Sequence, residues 1–188
     1  MALIILIIVV VLVVALIGFG IVGFNKLRRA DIAAQEALGG IDVQLTRRAD
    51  LIPNLVNTVK GYATHEREVF EEVTAARAGL RQAAQGGSVE QKSAAEARLD
   101  GALGRLFAVA ENYPDLKASA NFTQLQSELS DTENKLSFAR QFYNDAVARL
   151  NNLVHTIPWM FFTGWAGVKA REFYRAPEGH AEPPQVQF

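Results

Sequence analysis

NFTQLQSELSDTENKLSFARQFYNDAVARLNNLVHTI, from Asn121 to Ile157, is the stretch whose spacing decides the fold. Phe122, Leu129, Leu136, Tyr143, Leu150 and Ile157 recur every seven residues, and Leu125, Thr132, Ala139, Ala146 and Leu153 fill the complementary position. With about 3.6 residues per turn, such a repeat lays a narrow apolar seam along one face of a long helix. The small residues in the middle of the second series leave room for a partner helix to approach closely.

Upstream, Gln85-Gly86-Gly87-Ser88 breaks a helical pattern, and Ser88 with Gln91 has the spacing of a capping box that starts the next helix. That helix carries Leu99, Leu103, Leu106, Phe107 and Ala110 toward a core and stops near Asn112-Tyr113-Pro114-Asp115, because Pro114 cannot continue it. Strand signals are nearly absent, whereas apolar residues recur at helical spacing almost everywhere. Short links make sequential helices antiparallel neighbours. The spacing therefore predicts an all-α fold: an up-and-down four-helix bundle with long helices over about 26–49, 50–84, 88–112 and 118–157.

Ahead of the bundle, residues 2–24 contain no charge and no strong hydrogen-bonding side chain. As a helix they extend roughly 34 Å at about 1.5 Å per residue, enough to cross a hydrocarbon core of about 30 Å. A cleaved signal peptide is the competing reading, with Gly18 and Gly20 as small residues near a cleavage site, but no positive side chain precedes the apolar run and it exceeds a signal h-region. A transmembrane anchor over residues 1–25 is expected. Lys26, Arg28 and Arg29 follow the span, so the positive-inside rule places the C-terminal domain in the cytoplasm. Gly18, Gly20 and Gly23 are mis-spaced for a Gly-x-x-x-Gly dimer face. The absence of cysteine excludes disulfides, thiolate chemistry and thiolate metal sites, and a net charge of −1 with scattered basic residues argues against nucleic-acid binding.

RRADLIPNLV, Arg47 to Val56, reads as a joint. Arg47 and Arg48 suit the last turn of one helix, Asp50 the N-cap of the next, and Pro53 a third helical position that needs no N–H donor. Asn54 follows it. The alternative is one continuous helix kinked at Pro53, whose ring would press on the carbonyl of Ala49. Gly39-Gly40 is a second weak point, each glycine costing a helix interior about 1 kcal/mol relative to alanine.

Catalytic patterns fail on spacing. His65-Glu66-Arg67-Glu68 opens like a zinc-protease motif, but position 69 is Val69. Tyr62 and Asn152 stand where di-iron Glu-x-x-His pairs would need acids ahead of His65 and His155. Neither a nucleophile elbow nor a phosphate loop occurs. Asp131 and Lys135 form an ordinary i,i+4 pair. Glu66 falls on the series Ile52, Val59, Glu66, Val73, Leu80, so it either points into the bundle to meet Arg140 or Arg105, or drifts to solvent. No catalytic, metal or cofactor site is expected.

The C-terminal part is aromatic: Trp159, Phe161, Phe162 and Trp165 lie between Ile157 and Gly167. They form either a partner or membrane-contact surface or a cap over the end of the bundle, spanning 158–175. Residues 176–188 are Pro-rich and read as a disordered tail ending in Val186-Gln187-Phe188 with a free carboxylate, a form that C-terminus-reading domains accept.

IDVQLTRRADLIPNLVNTVKGYATHERE (Ile41 to Glu68), LGRLFAVAENYPDLKASANFTQLQSELSDTENKLSFARQFYNDAV (Leu103 to Val147) and the closing GVKAREFY resemble the bacterial LemA family over roughly residues 24–174. The resemblance implies a membrane-anchored up-and-down helical bundle with its N-terminus outside and its domain in the cytoplasm. It also implies no established enzymatic activity, genes often beside those of membrane proteases, and some relatives that organise membrane compartments. Its motif covers Arg47, Arg48, Asp50, Pro53 and Asn54 in the first part of the bundle. Farther on it takes in Asn112, Tyr113 and Asn121, then Glu133, Asn134, Arg140 and Asn144. A Trp-containing stretch usual in the family is replaced here by Ala37-Leu38-Gly39-Gly40, and the usual Phe before the proline by Ile157. The asparagines of the last long helix, poor helix formers, are expected to bond across helices or to the Tyr113-Pro114 loop.

These features favour a non-enzymatic scaffold or adaptor, held in a bacterial inner membrane through residues 2–24. It would bind membrane or cytoplasmic proteins, itself included, at the cytoplasmic face. The alternative is an accessory subunit or substrate adaptor of a membrane protease that reads the tail or the aromatic stretch.

Overall fold

The computed structural model describes residues 1–175. His180 and the tail with its Val186-Gln187-Phe188 end lie outside the described residues. Among the described residues every regular element is helical: α1 (Ala2–Lys60), α2 (Arg67–Ala84), α3 (Val89–Ala110), α4 (Pro114–Lys117), α5 (Ala120–His155), a 3₁₀ turn (Trp159–Phe162) and α6 (Thr163–Ala166). The described residues divide into two compact units, one of Met1–Ala37 with Tyr143–Phe173 and the other of Leu38–Phe142 with Tyr174 and Arg175. The α-helical bundle matches expectation; the helix count and the first boundaries do not.

The correction lies at Arg47 to Val56, where α1 runs unbroken. Asp50 stays helical and exposed, with its carboxylate 3.9 Å from Arg81, so it caps nothing. Pro53 has no N–H for the carbonyl of Ala49 four residues back, and Ala49 is fully buried. The Nε of Arg77, on α2, donates to that carbonyl at 2.8 Å. A donor from outside the helix replaces the one the proline lacks, and the helix can continue. The real break follows Lys60, where the amides of Tyr62 and Ala63 both turn back to the carbonyl of Val59 at 3.0 and 2.9 Å. The helices expected over 26–49 and 50–84 are thus the latter part of α1 and a shorter α2. Gly39 and Gly40 are accommodated inside α1, with open space beside both.

The later boundaries follow the sequence signals. Ser88 Oγ accepts from the amide of Gln91 at 3.2 Å, and Gln91 Oε1 accepts from the amide of Ser88 at 2.8 Å, a complete capping box for α3. Pro114 ends the preceding chain path and then occupies the first turn of α4, whose Leu116 is fully buried. In the seam of α5, Phe122, Leu129 and Leu136 are buried in the second unit, and Tyr143 and Leu150 in the first. Ile157 falls beyond the helix end and is 74% exposed. The core of the second unit joins Ile41, Leu45, Ile52, Leu55 and Val59 of α1 to Val73 and Leu80 of α2 and Leu99 and Leu106 of α3.

In α1 the residues ahead of Phe19 leave every side chain exposed, and the apolar window is long enough to cross a membrane by length and composition.

Candidate functional site

Within the second unit, seam positions of α1 and α3, and α5 beside its own seam, carry buried charges. Glu96 has no exposed surface, Lys92 has almost none, and Arg48 and Arg140 are buried. Arg140 Nη2 donates to Glu96 at 2.6 Å and to Glu133 at 3.2 Å. Arg48 donates to Asp100, and its Nη1 lies 3.2 Å from the second oxygen of Glu133. Tyr174 completes the chain by donating its hydroxyl to the other oxygen of Glu96 at 2.5 Å, beneath the guanidinium of Arg140. Acids and bases therefore alternate from Asp100 through Arg48, Glu133, Arg140 and Glu96 to the phenol. Separately, Lys92 donates to Asp42 and to the carbonyl of Ala84.

Burial pushes the Glu96 carboxyl above its usual range, although Arg140, Tyr174 and Arg48 all pull it down. Burial works to lower the pKa of Arg140, and the neighbouring carboxylates of Glu96 and Glu133 more than offset it, so this cation is held firmly charged. Tyr174 is pushed well above the usual phenol range by burial and by the charge and hydrogen bond of Glu96. Both oxygens of Glu96 are engaged by groups of the chain itself. This arrangement suits fixing the register of α3, α5 and the C-terminal segment, since a mispaired register would strand a buried charge.

Of the residues singled out in the sequence, Arg48, Glu133 and Arg140 meet in this network. Arg47 on the neighbouring face is exposed. Asn54 and Asn121 come together on a polar groove of about 400 Å³ with Asn57 and Glu128. Asn112 and Asn134 are exposed, and Tyr113 and Asn144 are half-buried. Glu66 immediately precedes α2, half-buried and with no side-chain capping bond. It does not meet the expected cations: Arg140 turns to Glu96 and Glu133, and Arg105 to Glu72 at 2.8 Å. The break after Lys60 takes Glu66 out of the seven-residue series, which holds only within one helix. Missed from sequence were Glu96, Lys92, Asp42, Asp100, Arg77 and Tyr174. The signal for Glu96 and Lys92 was their heptad spacing with Leu103 and Leu99, which charge alone conceals.

In the first unit, the aromatic residues pack on α1. Phe19 stacks with Trp159 and meets Phe162 edge-on, at ring-centre distances of 6.0 and 5.5 Å. Phe24 meets Trp165 at 5.1 Å, and the ammonium of Lys26 lies 4.1 Å over the ring of Trp159. Gly23 makes this possible, because a Cβ there would stand 2.6 Å from Phe162. Gly167, at φ +63°, ends α6 in the left-handed region open to glycine. The chain beyond is pinned along α5: Asn151 brackets the backbone of Arg171 with two hydrogen bonds of 2.8 and 2.9 Å, and Tyr143 donates to the carbonyl of Glu172 at 2.9 Å. Arg171 also donates to Asp31 at 2.9 Å. The partner of Asn151 is thus the extended C-terminal segment and not another helix or the Tyr113-Pro114 loop, the partners expected for the asparagines of this helix.

The LemA family model matches residues 37–188. The chain belongs to the LemA family. GVKAREFY, a family-like signature in sequence, here has a physical role at both ends, through Gly167 and through Tyr174. Among curated relatives, this LemA-family chain is 25% identical over 170 residues to magnetosome protein MamQ of Magnetospirillum gryphiswaldense, covering 78% of the chain and 62% of that relative. It is 24% identical to MamQ 2 of Paramagnetospirillum magneticum, over 91% of the chain and 71% of the relative. Protein LemA of Metamycoplasma hominis is 28% identical over 134 residues, 70% of the chain and 59% of that protein.

Proposed function

We propose that this LemA-family protein is a membrane-tethered, non-enzymatic scaffold. Its α1 anchors it in a bacterial inner membrane, and its bundle gathers protein partners, itself included, at the cytoplasmic face. The observation that carries the reading is the change of character along α1. Residues 2–17 are apolar and exposed on every side, whereas farther along the same helix only one stripe is buried against other helices. An all-round apolar helix needs lipid as its solvent. Lys26, Arg28 and Arg29 at the exit support a cytoplasmic domain.

Partner binding is supported by Phe138 and Phe142, one turn apart on α5 and 72% and 66% exposed. Aromatic side chains are enriched at protein interfaces and unfavourable in water. The protease-adaptor reading leans on residues 176–188, which lie outside the described residues, or on the aromatic stretch of Trp159 to Trp165. A photo-crosslinker at position 138 in native membranes should capture a few specific neighbours, and Phe142→Ala should reduce their yield. Recovery of monomer alone, under conditions that trap a control complex, contradicts the scaffold.

A further inference from the structure

We propose that the turn Trp159–Ala166 is a second membrane contact, seated at the headgroup–acyl boundary of the leaflet from which α1 emerges, with Phe161 and Trp165 against phospholipid. The inference rests on α1 crossing the bilayer and does not depend on the scaffolding role. The turn packs on Phe19, Gly23 and Phe24, just before the first charged side chain after the span, Lys26. Phe19 precedes Lys26 by seven residues, about 10 Å of helix rise. This is the depth at which hydrocarbon gives way to headgroups.

On the same stretch of α1, Ile17, Ile21 and Val22 are exposed, and lipid is the medium that suits them. The turn adds to that apolar surface. Phe161 is 72% exposed, and Trp165 is 63% exposed even with one side against Phe24, in a segment whose remaining rings, Trp159 and Phe162, pack on Phe19 of α1. Amphipathic rings at the interface, with a lysine amine between ring and headgroup, are the arrangement that interfacial water and lipid favour. Lys26 over Trp159 supplies it. The close approach at Gly23 ties the depth of the turn to the depth of the helix.

The chain has two tryptophans, Trp159 and Trp165. The full-length protein carrying Trp159→Phe and Trp165→Phe is reconstituted into phosphatidylcholine–phosphatidylglycerol vesicles, with or without bromine high on the acyl chains. A single reporter is then introduced as Phe161→Trp or, in the span, Leu12→Trp, the latter read with bromine at mid-chain. Trp159→Phe alone, which leaves native Trp165, is measured alongside in case the double replacement disturbs the turn. Both the Phe161→Trp reporter and native Trp165 should lose most of their emission to the shallow bromines. Quenching of the Leu12→Trp reporter with neither of these quenched overturns the inference and leaves the anchor standing. No quenching of any of the three overturns the inference and the anchor together.

Discussion

The two ends of α1 are both rich in aliphatic residues, yet they are built for different solvents. In residues 2–17 the apolar side chains point in every direction and none is buried. Farther on, Ile41, Leu45, Ile52, Leu55 and Val59 keep to one stripe and are essentially inaccessible, while Arg47, Asp50 and Asn54 take the other side. Content alone does not distinguish an anchor from a core helix; angular distribution does. The same comparison explains where buried charge is tolerated. Arg48 can lie in the stripe because Asp100 and Glu133 meet it there, and among the described residues nothing of the kind stands beside residues 2–17.

The largest effect is expected from removing a cation on the packed side. Arg140→Ala leaves the fully buried Glu96 without its main partner and should destabilise the bundle by about 3–5 kcal/mol, measured by denaturant unfolding. Burial already raises the pKa of Glu96 above its unfolded value, and losing Arg140 raises it further. The protonated carboxyl is then the form the fold accommodates, so the contribution is most favourable at low pH and is lost as pH rises. The defect of Arg140→Ala should shrink on acidification from neutral pH.

A matched pair within α1 sharpens the contrast. Leu45→Ala should cost about 2–5 kcal/mol of bundle stability, because Leu45 is wholly buried. Leu12→Ala should leave bundle unfolding unchanged, since Leu12 is 57% exposed among the described residues. Equal losses at the two sites would mean that both ends of the helix share one protein core.

Arg77→Met probes how the packed part stays helical through Pro53. Removing the donor leaves the buried carbonyl of Ala49 unsatisfied, a loss of about 1–3 kcal/mol. In a Pro53→Ala background the helix supplies its own donor, and the effect of Arg77→Met should fall.

Among the packed-side variants the smallest loss at neutral pH, about 1 kcal/mol, is expected for Tyr174→Phe, since Glu96 keeps Arg140. Its signature lies in alkali. With the folded phenol held above its unfolded pKa of about 10, the stability it contributes is present below that value and lost as pH rises past it. The variant should lose stability less steeply there.

How much of this was legible depended on whether the cause was local. The seam of α5 and the Ser88–Gln91 box are properties of neighbouring residues, and both appear in the structure. Asp50 and Pro53 were read by the same local logic and misled, because the group that keeps the helix continuous, Arg77, comes from another helix. Lys92 and Glu96 were invisible for a related reason. A charge at a seam position is read as surface until its partner is known, and their partners Asp42 and Arg140 lie 50 and 44 residues away. The aromatic stretch was recognisable as unusual, but only the contacts of Phe19, Gly23 and Phe24 bring it to the end of the apolar run.

Because the chain has no cysteine, single-cysteine labelling tests the central claim about α1 directly. Leu12→Cys and Val43→Cys are compared in intact and permeabilised membrane vesicles with a membrane-impermeant maleimide; both positions are exposed on the protein itself. The cysteine at 43 should react from the cytoplasmic side, and the one at 12 should stay unreactive from either side until detergent is added. Equal, detergent-independent reaction at both positions would contradict that claim.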